Sequence, residues 1–357
     1  MGFGLVTQCL APSRLNCHAG LETELSKRVK VDLLPGICIR PHDEIFASQE
    51  SDIMLVIARR FGQLGNRLFL FAHLIAAAKH YQVRLRNPCF AEYAGLFPQT
   101  SSDLWCEFDG SSNSTESSSS RPDGSPSLRK RMALMKSVEI GTKALYLSGL
   151  RRRPFKVIRL SKHDECDLQS DRFEDAIRSG RTVLLQGWRF RSDQLLMENW
   201  ARIRDYFALS QEDRKTVDDS VAEARGESDV LVGVHIRRGD YANFLGGRYY
   251  FSDQQYANWM HQVREQYPNR RVNFLVCSHE KLDESSFAGL NLCRGPGSAL
   301  GDMYALAETD LMLGPPSTFT GWAGFIGQKP RIELDSADAR IELPGNSEGS
   351  RLARVAC

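Results

Sequence analysis

A histidine, two adjacent arginines and a carboxylate stand together in His235-Ile236-Arg237-Arg238-Gly239-Asp240, directly after the strand-forming run Val230-Leu231-Val232-Gly233-Val234. Such charges do not belong in a core, so they mark where a buried strand leaves its sheet. In open α/β sheets, ligands bind outside the carboxyl ends of the strands. The guanidinium fork takes a phosphate bidentately. The pattern therefore points to a pocket for a phosphorylated ligand. The competing reading is a solvated strand edge with one arginine paired to Asp240. Arg238-Gly239-Asp240 also spells an integrin-type tripeptide, but it adjoins a buried strand rather than a projecting loop.

Two further stretches have the same character. Gly62-Gln63-Leu64-Gly65-Asn66 follows an apolar run and precedes a helical pattern. Glycines let the backbone approach a ligand closely, and a helix start favours an anion. The spacing matches neither a dinucleotide fingerprint nor a P-loop, and a ligand-free βα turn is an equal reading. Downstream, Gly301-Asp302 and Pro316-Ser317-Thr318 each open a helix, and the hydroxyls could hold phosphate oxygens or serve only as an N-cap. There is no D-x-D pair, no His/Cys cluster at metal-ligand spacing and no G-x-S-x-G. Arginines and helix ends must then supply the charge compensation that a divalent ion otherwise gives a diphosphate.

The elements that position these residues alternate. Ile53 to Ala58 reads as a strand, and Leu68, Phe71, Ala72, Ile75 and Ala76 repeat at helical spacing with one buried face. Thr182 to Gly187 is a second strand, and Glu198 to Arg225 is a helical, charged passage between halves. Beyond it, Val230 to Ile236, Val272 to Cys277, Leu311 to Gly314 and Arg331 to Leu334 are strands. Asp253 to Tyr267, Asp302 to Glu308 and a segment capped by Ser317 or Thr318 are helices. Strands alternating with helices predict parallel sheets in two Rossmann-like domains. The expected division is a poorly ordered extension over 1–52, an α/β domain over 53–225 with a disordered serine-rich insertion at 110–127, a second domain over 226–340, and a tail over 341–357.

Size and composition set the remaining bounds. The 357 residues suffice for two ordinary domains, and 42% apolar with 25% charged residues is a soluble globular balance. A net charge of +2 argues against a nucleic-acid partner. Arg151-Arg152-Arg153 reads as a solvated loop, with peripheral contact to an anionic membrane as the second reading. The nine cysteines are scattered and include no C-x-x-C pair, which fits a reduced compartment. Leu68 to Ala78 is too short to span a bilayer, and no signal-peptide pattern is visible, so a cytoplasmic location is expected.

Taken in order, the three motifs resemble a known family. Gly62-Gln63-Leu64-Gly65-Asn66-Arg67-Leu68-Phe69 looks like the G-G-L-G-N-Q-M-F opening of the family 11 glycosyltransferases, the α-1,2-fucosyltransferases. His235 to Tyr241 looks like their H-x-R-R-x-D motif, shared with α-1,6-fucosyltransferases. Ser317 to Ala323 is similar to their S-S-F-S-W-W-A segment. The resemblance runs from about Met54 to Leu334. It implies a GT-B-like fold with a cleft between two domains, and transfer of L-fucose from GDP-β-L-fucose with inversion and without metal or other cofactor. The implied acceptor is a galactose-containing glycan, fucosylated at the 2-hydroxyl. Arg237 would contact the β-phosphate, His235 and Arg238 would shape and charge the pocket, and Asp240 would orient the arginines. Asp302 would accept from the guanine edge, Ser317 and Thr318 would hold phosphate oxygens, and Gly62, Gly65 and Asn66 would form the donor-side turn. Arg67 stands where the family has Gln, Gly321 replaces the first Trp, and His279-Glu280 replace an acidic pair. The alternatives are a catalytically inactive nucleotide- or glycan-binding protein of this fold, or a transferase using another nucleotide sugar.

Overall fold

The computed structural model describes residues 53–112, 124–149 and 154–343. The extension 1–52, the centre of the serine-rich segment, the Arg151-Arg152-Arg153 run and most of the tail lie outside the described residues. The N-terminal half contains β1 (Met54–Ile57), α1 (Leu64–Tyr81), β2 (Arg84–Arg86), α2 (Pro98–Ser101), β3 (Glu107–Asp109) and α3 (Leu128–Leu147). It continues through β4 (Phe155–Arg159), β5 (Cys166–Asp167), α4 (Asp171–Arg178), β6 (Thr182–Gln186) and β7 (Phe190–Arg191). Helices α5 (Asp193–Glu198), α6 (Trp200–Tyr206) and α7 (Gln211–Arg225) lead to the second half. That half comprises β8 (Val230–Ile236), α8 (Asp253–Glu265), β9 (Val272–Ser278), β10 (Asn291–Arg294), α9 (Ala299–Ala307), β11 (Leu311–Gly314), α10 (Thr318–Gly327) and β12 (Arg331–Glu333).

Each half is built on a five-stranded sheet. The first has the order β3-β2-β1-β6-β4 and the second β10-β9-β8-β11-β12. Every pairing is parallel except β2 with β3, an antiparallel edge that the hydrophobic pattern did not announce. All seven residues of β8 are buried, as expected of a central parallel strand covered on both faces. In each sheet the chain order reverses beside the first strand, between β1 and β6 and between β8 and β11. Those are the switch points at which α/β sheets bind ligands.

Helix α1 joins the halves. The sequence predicts one buried face, yet Leu70, Leu74 and Ala77 are buried along with Leu68, Phe71 and Ile75. A helix that is apolar all round is enclosed on all sides. Here the other side belongs to α10: the Phe69 ring lies 5.3 Å from Trp322 and 6.1 Å from Phe325. Trp322 also meets Phe207 at 5.3 Å, and Trp200 Nε1 donates to the Phe325 carbonyl at 2.7 Å. One apolar cluster thus runs from β1 and α1 through α10 and α9 into β9. Among the described residues, no helix is long and apolar enough to cross a membrane.

Candidate functional site

The two switch points meet. Gly65, in the first turn of α1, lies so close to Thr318 at the start of α10 that a Cβ would sit 2.8 Å from the Thr318 carbonyl carbon and oxygen. Only glycine lets the two helix starts approach this closely. Gly62, at φ +63, turns the chain over Asn66, whose amide would collide with any side chain at position 62. The loop is fastened from outside by Arg67. Its Nε donates to the Gly62 carbonyl at 3.2 Å, Nη1 donates to the Cys89 carbonyl at 3.1 Å, and Nη2 pairs with Glu92 at 2.7 Å. Arg67 is buried and serves as scaffold for the glycine loop.

Helix α1 starts without a side-chain cap, and its first turn carries no acidic residue. Its leading N–H groups therefore lack a side-chain acceptor, the setting in which a helix start favours an anion. Helix α10 differs. Ser317 is its N-cap and accepts the Thr320 N–H at 3.2 Å, so one lone pair of the hydroxyl expected to hold phosphate serves the helix while its O–H stays a donor. Thr318 follows it, half-buried, at the Gly65 contact.

Arg237 leaves β8 between these helix starts. Its Nη2 donates to both Asp240 oxygens at 3.1 and 2.9 Å and reaches Gln63 Oε1 at 3.5 Å, across to the other half. The guanidinium carbon stands 4.8 Å over the Tyr241 ring, and the Tyr241 hydroxyl donates to the Pro316 carbonyl at 2.8 Å. The Nε of Arg237 is buried and has no partner. An unmet buried donor costs about 1–3 kcal/mol, which a bound oxyanion would recover. Asp240 is the carboxylate expected to orient the arginines, and it orients Arg237 alone.

Arg238 does not join it. Its Nη2 pairs with Asp253 at 2.5 Å and its Nε donates to the Phe251 carbonyl at 3.4 Å, which ties the loop to the start of α8. Arg238, expected to charge the pocket, is held in this buried pair. Asp253 already sits beside the Ser252–Gln255 capping box, so the anchor is firm.

His235, the other residue expected to shape and charge the pocket, lies within β8. It is buried and stacked on Phe319, with ring centroids 4.6 Å apart. Burial pushes the imidazole down to about 3, and the nearby Arg237 and His279 push the same way. At neutral pH it shapes the pocket floor without charging it. Gly314 lies against His235, where a Cβ would come within 3.2 Å of it.

His73, inside α1, is also buried and held well below its usual value, chiefly by burial and then by Arg191. For His235 the folded value lies below the unfolded 6.5, so its contribution is present above pH 6.5 and is lost as pH falls from there toward about 3, and His73 acts in the same direction. Each such histidine should cost up to about 1.4 kcal/mol per pH unit in that window. Urea midpoints should therefore fall between about pH 7.5 and 5.5, and His235→Phe should flatten part of that slope. A His235→Phe slope equal to that of the parent protein would show that His235 is charged in the fold.

Asp302 is buried in the first turn of α9, below the Ser298 cap. Its Oδ1 accepts the Gly297 N–H at 2.7 Å. Burial raises its pKa, while the Gly297 N–H and His279 oppose that rise. One oxygen of the residue expected to accept from the guanine edge thus already holds the preceding loop. Sequence reasoning missed Gln63, Tyr241, Phe319 and Asp253. Glu280, noted in the sequence as a departure from the family, accepts the Gly239 N–H at 3.1 Å through Oε1. Gly321, the departure from Trp, leaves room for Arg331, which pairs with Glu333 and reaches the Ser317 carbonyl at 3.5 Å. Among the described residues no group of His, Cys, Asp and Glu could hold a metal ion.

No protein-family model and no curated protein sequence matches the chain. Among solved structures it is similar to FUT1 of Arabidopsis thaliana, an Arg-to-Lys variant in complex with GDP. The TM-score is 0.53 at 13% identity, over 83% of this chain and 72% of that one. It is also similar to the fucosyltransferase NodZ from Bradyrhizobium, with TM-score 0.47 at 19% identity, over 79% and 96% of the two chains. POFUT1 in complex with GDP-fucose aligns with TM-score 0.43 at 12% identity, over 80% and 98%. At 13% identity the likeness to FUT1 is one of fold alone: α/β and GT-B-like, with parallel sheets.

Proposed function

We propose that the chain is an inverting fucosyltransferase that moves L-fucose from GDP-β-L-fucose to a glycan hydroxyl, forming an α-1,2 linkage to galactose. The observation that carries this reading is Arg237, held at the β8/β11 switch point beside the uncapped start of α1, with a buried Nε–H unmet. The GDP complex of the FUT1 variant supports the choice of nucleotide. Fucose–phosphate cleavage develops charge on the departing diphosphate. Fixed cations and N–H groups at that point stabilise the transition state more than the ground state. In this proposal Arg237 exchanges part of its hold on Asp240 for the β-phosphate, and the α1 N–H groups meet the remaining oxygens. His235 stays neutral as the floor, and Asp302 offers its second oxygen to the guanine edge. Charge compensation rests on these groups and not on a metal. The acceptor hydroxyl attacks from the opposite face and inverts the anomeric carbon.

The test is incubation of the purified protein with GDP-fucose and galactosides in EDTA, following GDP release, beside thermal shifts with GDP and UDP. GDP at about 100 times its Kd should add about 2.7 kcal/mol of stability, and UDP should add little. GDP stabilisation without fucose transfer to any acceptor would leave a binding protein. Stabilisation by UDP alone would overturn the donor assignment.

A further inference from the structure

The glycine loop has a second side. Where β1, β4 and β6 end and α3 crosses above them, there is a cavity of about 320 Å³. This is the lower end of the size range of small-ligand sites. Arg59, Arg159 and Gln186 reach it from the strand ends, and Glu139, Lys143 and Tyr146 from α3. The three α3 residues recur at helical spacing and so share a face.

Charge is the informative property. Arg59, Lys143 and Arg159 form no salt bridge among the described residues, whereas Arg60, Arg67, Arg86, Arg189, Arg237 and Arg238 all do. The lone carboxylate, Glu139, already accepts the Arg60 N–H at 2.9 Å. Arg159 lies over the Tyr146 ring at 4.8 Å, and Arg59 over Phe61 at 5.0 Å, so both are placed by aromatic faces rather than by acids. Gln186 is 6% exposed, lines the cavity and makes no side-chain hydrogen bond to a described residue. Convergent cations in a concave site repel one another and concentrate an anion. The Gln186 amide beside them supplies a donor and an acceptor for sugar hydroxyls.

We infer that this cavity is the acceptor subsite and that it takes a glycan carrying an anionic group, a carboxylate or a sulfate. The inference rests on the fucosyl-transfer reading for the word acceptor, but not for the binding itself. Arg59 stands four residues before Gln63, so at most ~14 Å of chain separates it from the loop that meets Arg237. One oligosaccharide could then occupy both sides of the loop. The anion pairs with Arg59, Lys143 and Arg159, and Gln186 reads hydroxyls.

The experiment uses the full chain and three matched probes: N-acetyllactosamine, its sialylated form and its sulfated form. Binding without donor is read by saturation-transfer NMR and calorimetry, and transfer by GDP release. The anionic probes should bind roughly tenfold or more tighter than the neutral one, and the difference should shrink as salt rises. Preference for the sialylated probe alone assigns a carboxylate, and preference for the sulfated probe alone assigns a sulfate. The combined variant Arg59→Gln, Lys143→Gln, Arg159→Gln should level the three probes, with GDP affinity as the folding control. Equal binding of all three by the parent protein, or an anionic preference that survives in the variant, overturns the subsite. Anionic binding without GDP binding would instead sink the transfer reading and leave the subsite standing.

Discussion

Arg237→Lys is expected to cut turnover of GDP-fucose by on the order of 10²–10³-fold while leaving the unfolding midpoint nearly unchanged. Lysine keeps the charge but loses the planar fork, and with it the simultaneous approach to Asp240, Gln63 and a phosphate. The stability effect is small because Asp240 is 58% exposed, and pairs of that kind contribute about 0–1 kcal/mol. Loss should appear in kcat more than in KM, since the contact strengthens as charge builds on the leaving diphosphate. Initial rates of GDP release at saturating donor, with a circular-dichroism melt on the same sample, decide it. Turnover within a few-fold of the parent protein would remove Arg237 from the phosphate.

The strand ends were legible because charge and burial conflict openly there. β8 is apolar through Val234 and closes on Ile236, so the arginines after it had to face a cleft or solvent. The glycine loop was legible for a similar reason: strand, glycines and helix follow one another within a few residues. What failed to show was partnership over distance. Arg237 and Arg238 are adjacent and chemically identical, yet one meets Gln63 from the other half while the other is taken by Asp253. Nothing local separates them. The neutrality of His235 depends on Phe319 and on enclosure by β9 and β11, which pattern reading does not count. Asp302 was placed at a helix start, but α9 begins earlier, at the Ser298 cap, so the carboxylate lies inside the first turn and turns back to Gly297. Helix α3 and the cavity beneath it went unread because α3 is largely exposed and its charged face shows no apolar stripe.

Arg238→Leu, by contrast with its neighbour, is expected to destabilise the fold by about 3–5 kcal/mol. The Arg238 and Asp253 side chains are 10% and 13% exposed, so removing the arginine strands a buried carboxylate. Asp253 also accepts the Asp283 N–H at 2.8 Å, and that contact would remain beside an uncompensated charge. Asp253→Leu should cost at least as much, since it frees the Asp283 amide as well as the guanidinium. Replacing both should cost less than the sum of the single changes, with a coupling of roughly 1–3 kcal/mol, because no charge is then left buried alone. Urea midpoints of the four proteins complete the cycle. GDP affinity per folded molecule should stay close to the parent value in Arg238→Leu, because the side chain is spent on the start of α8. A variant that keeps its midpoint but loses GDP would exchange the roles of the two arginines, and the phosphate contact would pass from Arg237 to Arg238.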